Sequence, residues 1–213
     1  MHHSLRPTRR LLGVLLALCL AGIPCPFAAA ESLPTAAPAP LEEPQPATPG
    51  APFLLRGIDL AGATRESVRA REGVPDEESD THLLYLQQRF ARRGFRLLYM
   101  FDAESGALTG AYYLHIATAR KLSSELQRYE ALTAALTLAY GEPSFFGDIW
   151  TPPEARGEPG DLAALLAGRM RYETRWALPT DPPVGVTMSL SCEEGGLLVI
   201  VGYSVVEPET PDA

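Results

Sequence analysis

The chain carries the same helix-ending signal twice, and this repetition limits its possible folds more than any other feature. Residues 64–72 read as a short helix that stops at Gly73-Val74-Pro75, and residues 125–140 as a longer one that stops at Gly141-Glu142-Pro143. Glycine accepts the left-handed backbone that terminates a helix, and a proline two residues later cannot continue it. Three segments of strand character follow each stop: 82–88, 95–101 and 108–116 after the first, then 170–178, 184–192 and 197–204 after the second. Their anchor residues keep step. Tyr85, Tyr99 and Tyr113 are spaced by 14 and 14, while Trp176, Leu190 and Tyr203 are spaced by 14 and 13. Such self-similarity marks a duplicated unit. Here it is a helix plus three strands, with repeats at 53–118 and 122–206 inside a domain spanning 53–206.

Side-chain alternation sets the layer order. Met170, Tyr172, Thr174, Trp176 and Leu178 point one way and Arg171, Glu173 and Arg175 the other, and residues 184–192 alternate in the same manner. In residues 125–140, Leu126, Tyr129, Leu132 or Thr133, Leu136 and Tyr140 recur at helical spacing as one buried stripe. A sheet wet on one face and roofed by helices on the other is an α+β fold with an antiparallel sheet. Thr64 is the expected N-cap of the first helix, and Ser124 with Gln127 has the capping-box pattern for the second. Residues 82–90 fit either a strand or an amphipathic helix capped by Gly94, and the repeat favours the strand. An inserted loop, 144–169, separates the second helix from its strands and contains a short helix opened by Asp161. Long loops in compact domains are often functional.

The N-terminus reads as an address. Arg6, Arg9 and Arg10 precede an apolar run from Leu11 to Ile23, then Pro24, Pro26 and Ala28-Ala29-Ala30, the order of a secretory signal over 1–30. Thirteen apolar residues make roughly 20 Å of helix against a hydrocarbon core of ~30 Å, so no membrane anchor is expected in the mature chain. Cys19 follows Leu18 and Cys25 follows Pro24, without the small residue that precedes a lipid-modified cysteine. Residues 31–52 hold seven prolines and no apolar period, and are expected to be a disordered, extended linker. Residues 207–213 read as a frayed tail. The expected location is the periplasm. Cys192 would then be the one cysteine left, on the apolar face of its strand, where it serves as a small hydrophobe.

Charge and motifs narrow the function. The 26 acidic and 18 basic side chains give −8, and removing the three arginines of the signal leaves −11, which repels nucleic-acid phosphate and anionic bilayers. No Gly-x-Ser-x-Gly elbow, phosphate-binding glycine loop or His-Glu-x-x-His helix is present. His82 and His115 stand without cysteine or carboxylate partners at metal-ligand spacing, so no cofactor or metal is expected. Asp102 and Glu104 flank a turn, where carboxylates serve backbone geometry. Binding has better material. On the face expected to be polar stand Leu98, Met100, Tyr113, Leu198 and Ile200, one apolar patch unless the insertion or the leader covers it. Phe145, Phe146 and Trp150 cluster in the insertion as anchors into the core or as contacts for a partner. Arg171, Glu173 and Arg175 would supply specificity.

Gly62-Ala63-Thr64-Arg65-Glu66-Ser67-Val68, then Gly73-Val74-Pro75, a tyrosine strand and a strand ending in Phe101-Asp102, resembles the SmpA/OmlA family, also called BamE-like. The resemblance covers roughly residues 53–116, with Ala63 where the family has methionine and no lipid-bearing cysteine. Doubling the unit is similar to the tandem arrangement of the β-lactamase inhibitor protein fold. The resemblance implies a small non-catalytic envelope module that binds another protein, in the family's best-known member within outer-membrane barrel assembly. The alternatives are an inhibitor that docks its sheet on a secreted enzyme, and an enzyme using the insertion as a lid.

Overall fold

The computed structural model describes residues 44–206. The expected signal segment, the expected linker up to residue 43 and the expected tail from 207 lie outside the described residues. A two-stranded hairpin, β1 (Leu54–Leu55) and β2 (Ile58–Asp59), precedes α1 (Arg65–Glu72). Then come β3 (Glu77–Ser79), β4 (His82–Phe90), β5 (Arg93–Phe101) and β6 (Leu108–Thr118). A 3-10 turn at Ala119–Lys121 leads into α2 (Leu122–Tyr140). The chain continues through β7 (Phe145–Trp150), a second 3-10 turn (Pro153–Ala155), α3 (Leu162–Leu166), β8 (Met170–Leu178), β9 (Val184–Glu193) and β10 (Gly196–Val205). Strands β3 to β10 form one antiparallel sheet in the order β3-β4-β5-β6-β10-β9-β8-β7, a mixed α+β architecture dominated by the sheet. The ambiguous segment 82–90 is a strand.

Both helices stop at the expected glycines, but not in the expected left-handed helical conformation. Gly73 and Gly141 have φ of 89° and 81°, with ψ of −154° and −166°. Those ψ values lie outside the left-handed helical well, in territory open essentially to glycine. Each stop is also latched to the sheet. The Tyr85 hydroxyl donates to the Gly73 carbonyl at 3.2 Å, and the Trp176 indole N–H donates to the Gly141 carbonyl at 3.1 Å. Burial, with Glu72 nearby, pushes the Tyr85 phenol up to about 12, so the donor keeps its proton. Thr64 caps α1 in a reciprocal box with Ser67. The capping box assigned to Ser124 is a correction: α2 begins at Leu122, out of the 3-10 turn, and the Ser124 hydroxyl donates to the Lys121 carbonyl instead.

Cross-strand register defines the two faces. One row runs Leu83, Tyr99, Ala111, Tyr203, Val186, Trp176 across six strands. It belongs to a single core that also holds Val68 of α1, Tyr129, Leu132 and Leu136 of α2 and Leu165 of α3. All six expected anchors, Tyr85, Tyr99, Tyr113, Trp176, Leu190 and Tyr203, are buried there. The row on the other face runs Leu84, Leu98, Tyr112, Gly202, Thr187, Arg175, Phe145. That face changes from aliphatic on β4, β5, β6 and β10 to hydroxyl and charged on β9 and β8. Tyr112 lies across two glycines: a Cβ at Gly110 would meet its hydroxyl at 2.8 Å, and one at Gly202 its ring at 2.8 Å, so both positions exclude a side chain.

Two further segments differ from the sequence reading. The inserted loop 144–169 is corrected: Phe145–Trp150 within it form β7, paired along their length with β8. The end of the proline-rich segment is tied to the β8–β9 loop, with Gly50 N–H donating to the Pro179 carbonyl at 2.8 Å and Asp181 N–H to the Ala51 carbonyl at 3.1 Å.

The β4–β5 turn uses Ala91 and Arg92 at φ of 46° and 64°, where hairpin turns favour asparagine and glycine. A non-glycine residue there costs roughly 1–2 kcal/mol, partly offset by the freedom glycine adds to the unfolded chain. The exposed Arg92→Gly substitution is therefore expected to stabilise the fold by about 0.5–1 kcal/mol. Urea denaturation checks this, and an unchanged or lowered midpoint would contradict it.

Candidate functional site

The longest helix and one edge of the sheet enclose an apolar groove. α2 lies over the core face through Tyr129, Leu132 and Leu136, and the Tyr129 hydroxyl pairs with Thr174 Oγ1 of β8 at 2.8 Å. Burial raises the pKa of that phenol. Beside this stripe, Leu126, Thr133, Thr137 and Leu138 form one wall of the groove, and Phe146 of β7 and Tyr172 of β8 form the other. Its volume is about 780 Å³. Leu138 is 91% exposed and Phe146 69%, large apolar side chains left in water at the groove's lip. Glu130, on the helix wall, is the one charge lining it.

β7 distributes its aromatics between three roles. Trp150, 7% exposed, is an anchor into the core, and a Cβ on Gly157 would come within 3.0 Å of its ring. Phe145 turns to the opposite face beneath the Arg175 guanidinium, 5.1 Å from the ring centroid. Phe146 alone faces the groove. The three expected aromatics are therefore neighbours in sequence but do not form one surface.

The other expected site residues separate likewise. Leu98, Met100, Leu198 and Ile200 do share the face away from the helices, but all are buried, between 0% and 9% exposed. Tyr113 is corrected to the opposite face: it pairs with Leu97 and Val201 and is fully buried in the helix-covered core. Arg171, Glu173 and Arg175 form one network. Glu173, 4% exposed, accepts from Arg171 Nε at 2.7 Å and Arg175 Nε at 2.6 Å, so the carboxylate is held by charges of its own strand. The reading of residues missed the groove because Leu138 falls outside the buried stripe of α2 and Tyr172 was assigned to the core. An exposed leucine off the stripe was the available signal.

A second concavity, about 570 Å³, opens beside Arg89, Arg96, His115 and Ile116 at the ends of β4, β5 and β6. His115 Nδ1 lies 3.2 Å from the Gly94 carbonyl and Nε2 lies 3.5 Å from Glu125 Oε2, and Arg128 Nε donates to that same oxygen at 2.9 Å. Glu125 is 1% exposed. The carboxylate is neutralised by Arg128, and burial followed by the Arg128 charge lowers the His115 pKa, against the opposing pull of Glu125. Asp102 accepts from the Glu104 and Ser105 amides of its turn, which lowers its pKa, and burial raises the Cys192 thiol. Among the described residues no group of three or more histidine, cysteine or acidic side chains is placed to hold a metal ion, and no helix is long and apolar enough to cross a membrane.

No family model, no curated protein and no solved structure matches the chain.

His115 has a pH consequence. Its folded pKa lies below the unfolded value of about 6.5, so the unfolded chain takes up the proton first on acidification. The stability present above pH ~6.5 is then expected to decline as pH falls toward the folded pKa. Urea midpoints for the parent chain should fall between pH 7.5 and 5.5, and His115→Gln should remove that part of the fall. Identical pH profiles for the two proteins would contradict this assignment.

Proposed function

We propose that this chain is a non-catalytic binding module of the cell envelope, carried across the inner membrane by residues 1–30 and acting in the periplasm on another protein. Phe146 is the observation that carries this reading. It is an aromatic side chain 69% exposed, beside an apolar groove and on a strand whose other aromatics are both engaged. Exposed aromatics next to desolvated pockets are the typical anchors of protein interfaces. The aliphatics of the sheet's other face are buried and Arg171 and Arg175 are both engaged by Glu173, so the contact surface is assigned to the groove.

We further propose that the two halves are copies of one SmpA/OmlA-like unit. Three parallels support that reading. Each helix ends on a glycine of positive φ, each stop carbonyl is bound by an aromatic of the first long strand after it, and each edge strand begins four residues beyond the stop. On this account one copy kept a short helix and the other lengthened it into a groove wall. The acidic chain argues against a nucleic-acid partner.

A photocrosslinking amino acid placed at position 146 in the intact envelope tests the contact. A discrete adduct with one protein is expected there, and none from position 74, where Val74 is 93% exposed on the α1–β3 connection. Equal labelling from both positions, or none from 146, would contradict the reading.

A further inference from the structure

The sheet has two edges, and they are finished differently. β3 is three residues long, carries Glu77 and Glu78, and has Glu78 paired with Arg65 and Arg69 of α1. Short, charged edges resist pairing with another chain. β7 is six residues long, and four of those six are aromatic or β-branched. Those residue types favour strand pairing.

The ladder shows which backbone groups of β7 remain free. Thr151 N–H donates to the Arg169 carbonyl at 2.8 Å, in register with Trp150 opposite Met170. Hydrogen-bonded and non-bonded pairs alternate in an antiparallel ladder, so Ile149 and Gly147 point their backbone groups at β8. Phe146 and Asp148 then point theirs away from the sheet. Among the described residues no donor or acceptor meets those outward groups; only the Asp148 side chain is engaged, by Gly160 N–H at 2.9 Å.

We propose that β7 receives a ninth strand from the partner: an extended segment of alternating apolar residues whose backbone pairs with Phe146 and Asp148 and whose inward side chains enter the groove. This rests on the reading of the chain as a binding module and adds the partner's conformation and chemistry. The α2 wall from Leu126 to Leu138 rises about 18 Å, the span of five or six residues of extended chain. Its one charge, Glu130, has no partner among the described residues, so a lysine or arginine in the segment is the complementary feature. Edge pairing supplies affinity through the backbone, and the groove supplies selectivity for every second side chain.

The test uses the full chain and a phage-displayed library of random heptapeptides. The enriched sequence is synthesised with a fluorescein label in three forms: unmodified, and N-methylated on each alternate set of amides. Fluorescence anisotropy is expected to show binding of the unmodified peptide and at least tenfold weakening by Phe146→Asp, a surface change that leaves the core intact. One N-methylated form should lose at least tenfold and the other should bind as the parent, because only one set of amides faces β7. Weakening by Phe146→Asp with both methylated forms binding normally would overturn strand addition and leave the binding-module reading standing. Failure to enrich any peptide, or equal binding to the Phe146→Asp protein, would also overturn it. A concentration-dependent dimer in sedimentation, abolished by Phe146→Asp while no peptide is enriched, would assign the edge to a second copy instead.

Discussion

The structure depends on how each helix is stopped and then held. A helix C-terminus leaves carbonyls without partners, and here the carbonyl of the stop glycine is bound in both halves by an aromatic donor, Tyr85 for Gly73 and Trp176 for Gly141. A hydrogen bond of this kind contributes about 1 kcal/mol net. Its larger effect is geometric, because it fixes the point at which the chain leaves the helix. β3 starts four residues past Gly73 and β7 four residues past Gly141, so the two latches position the two edges of the sheet. The long strands then fill in from the edges to meet at β6 and β10.

Helix length decides which edge gains a groove. α1 has eight residues and buries Val68, with Glu72 held by Arg56 and by the Tyr99 hydroxyl. It has too few turns to wall off a second surface. α2 has nineteen residues, and beside its buried stripe Leu126, Thr133, Thr137 and Leu138 face Phe146 and Tyr172 across an open groove. The apolar surface left there is the cost of a long helix over an edge strand, and a partner that covers it recovers that cost.

Much of the architecture was legible because it rests on periodicity. Residues spaced by 14 land on the same face of successive hairpin strands, so Tyr85, Tyr99 and Tyr113 all reached the core, and the alternation in β8 and β9 separated their faces correctly. The site was less legible. Phe145-Phe146-Gly147-Asp148-Ile149-Trp150 has no simple alternation, because an edge strand beside a groove carries apolar residues on both faces, and it read as loop. β3, with its sequence Glu77-Glu78-Ser79, is a strand only because β4 pairs with it. Hydrophobicity alone does not place Tyr113 on a face, whereas register does: Leu98 pairs with Tyr112, one residue earlier, and Tyr113 with Leu97. The two-residue turn at Arg56 and Gly57 that makes the β1–β2 hairpin leaves little trace in the sequence, because its flanking strands are only two residues each.

Strand addition requires the edge of β7 to be open in the free protein, and amide hydrogen exchange followed by NMR measures this directly. Gly147 and Ile149, whose amides face β8, should exchange slowly, and Phe146 and Asp148 should exchange close to the rate of an unprotected chain. Protection that is uniform from Phe145 to Trp150 would mean the edge is already paired, and would contradict the account.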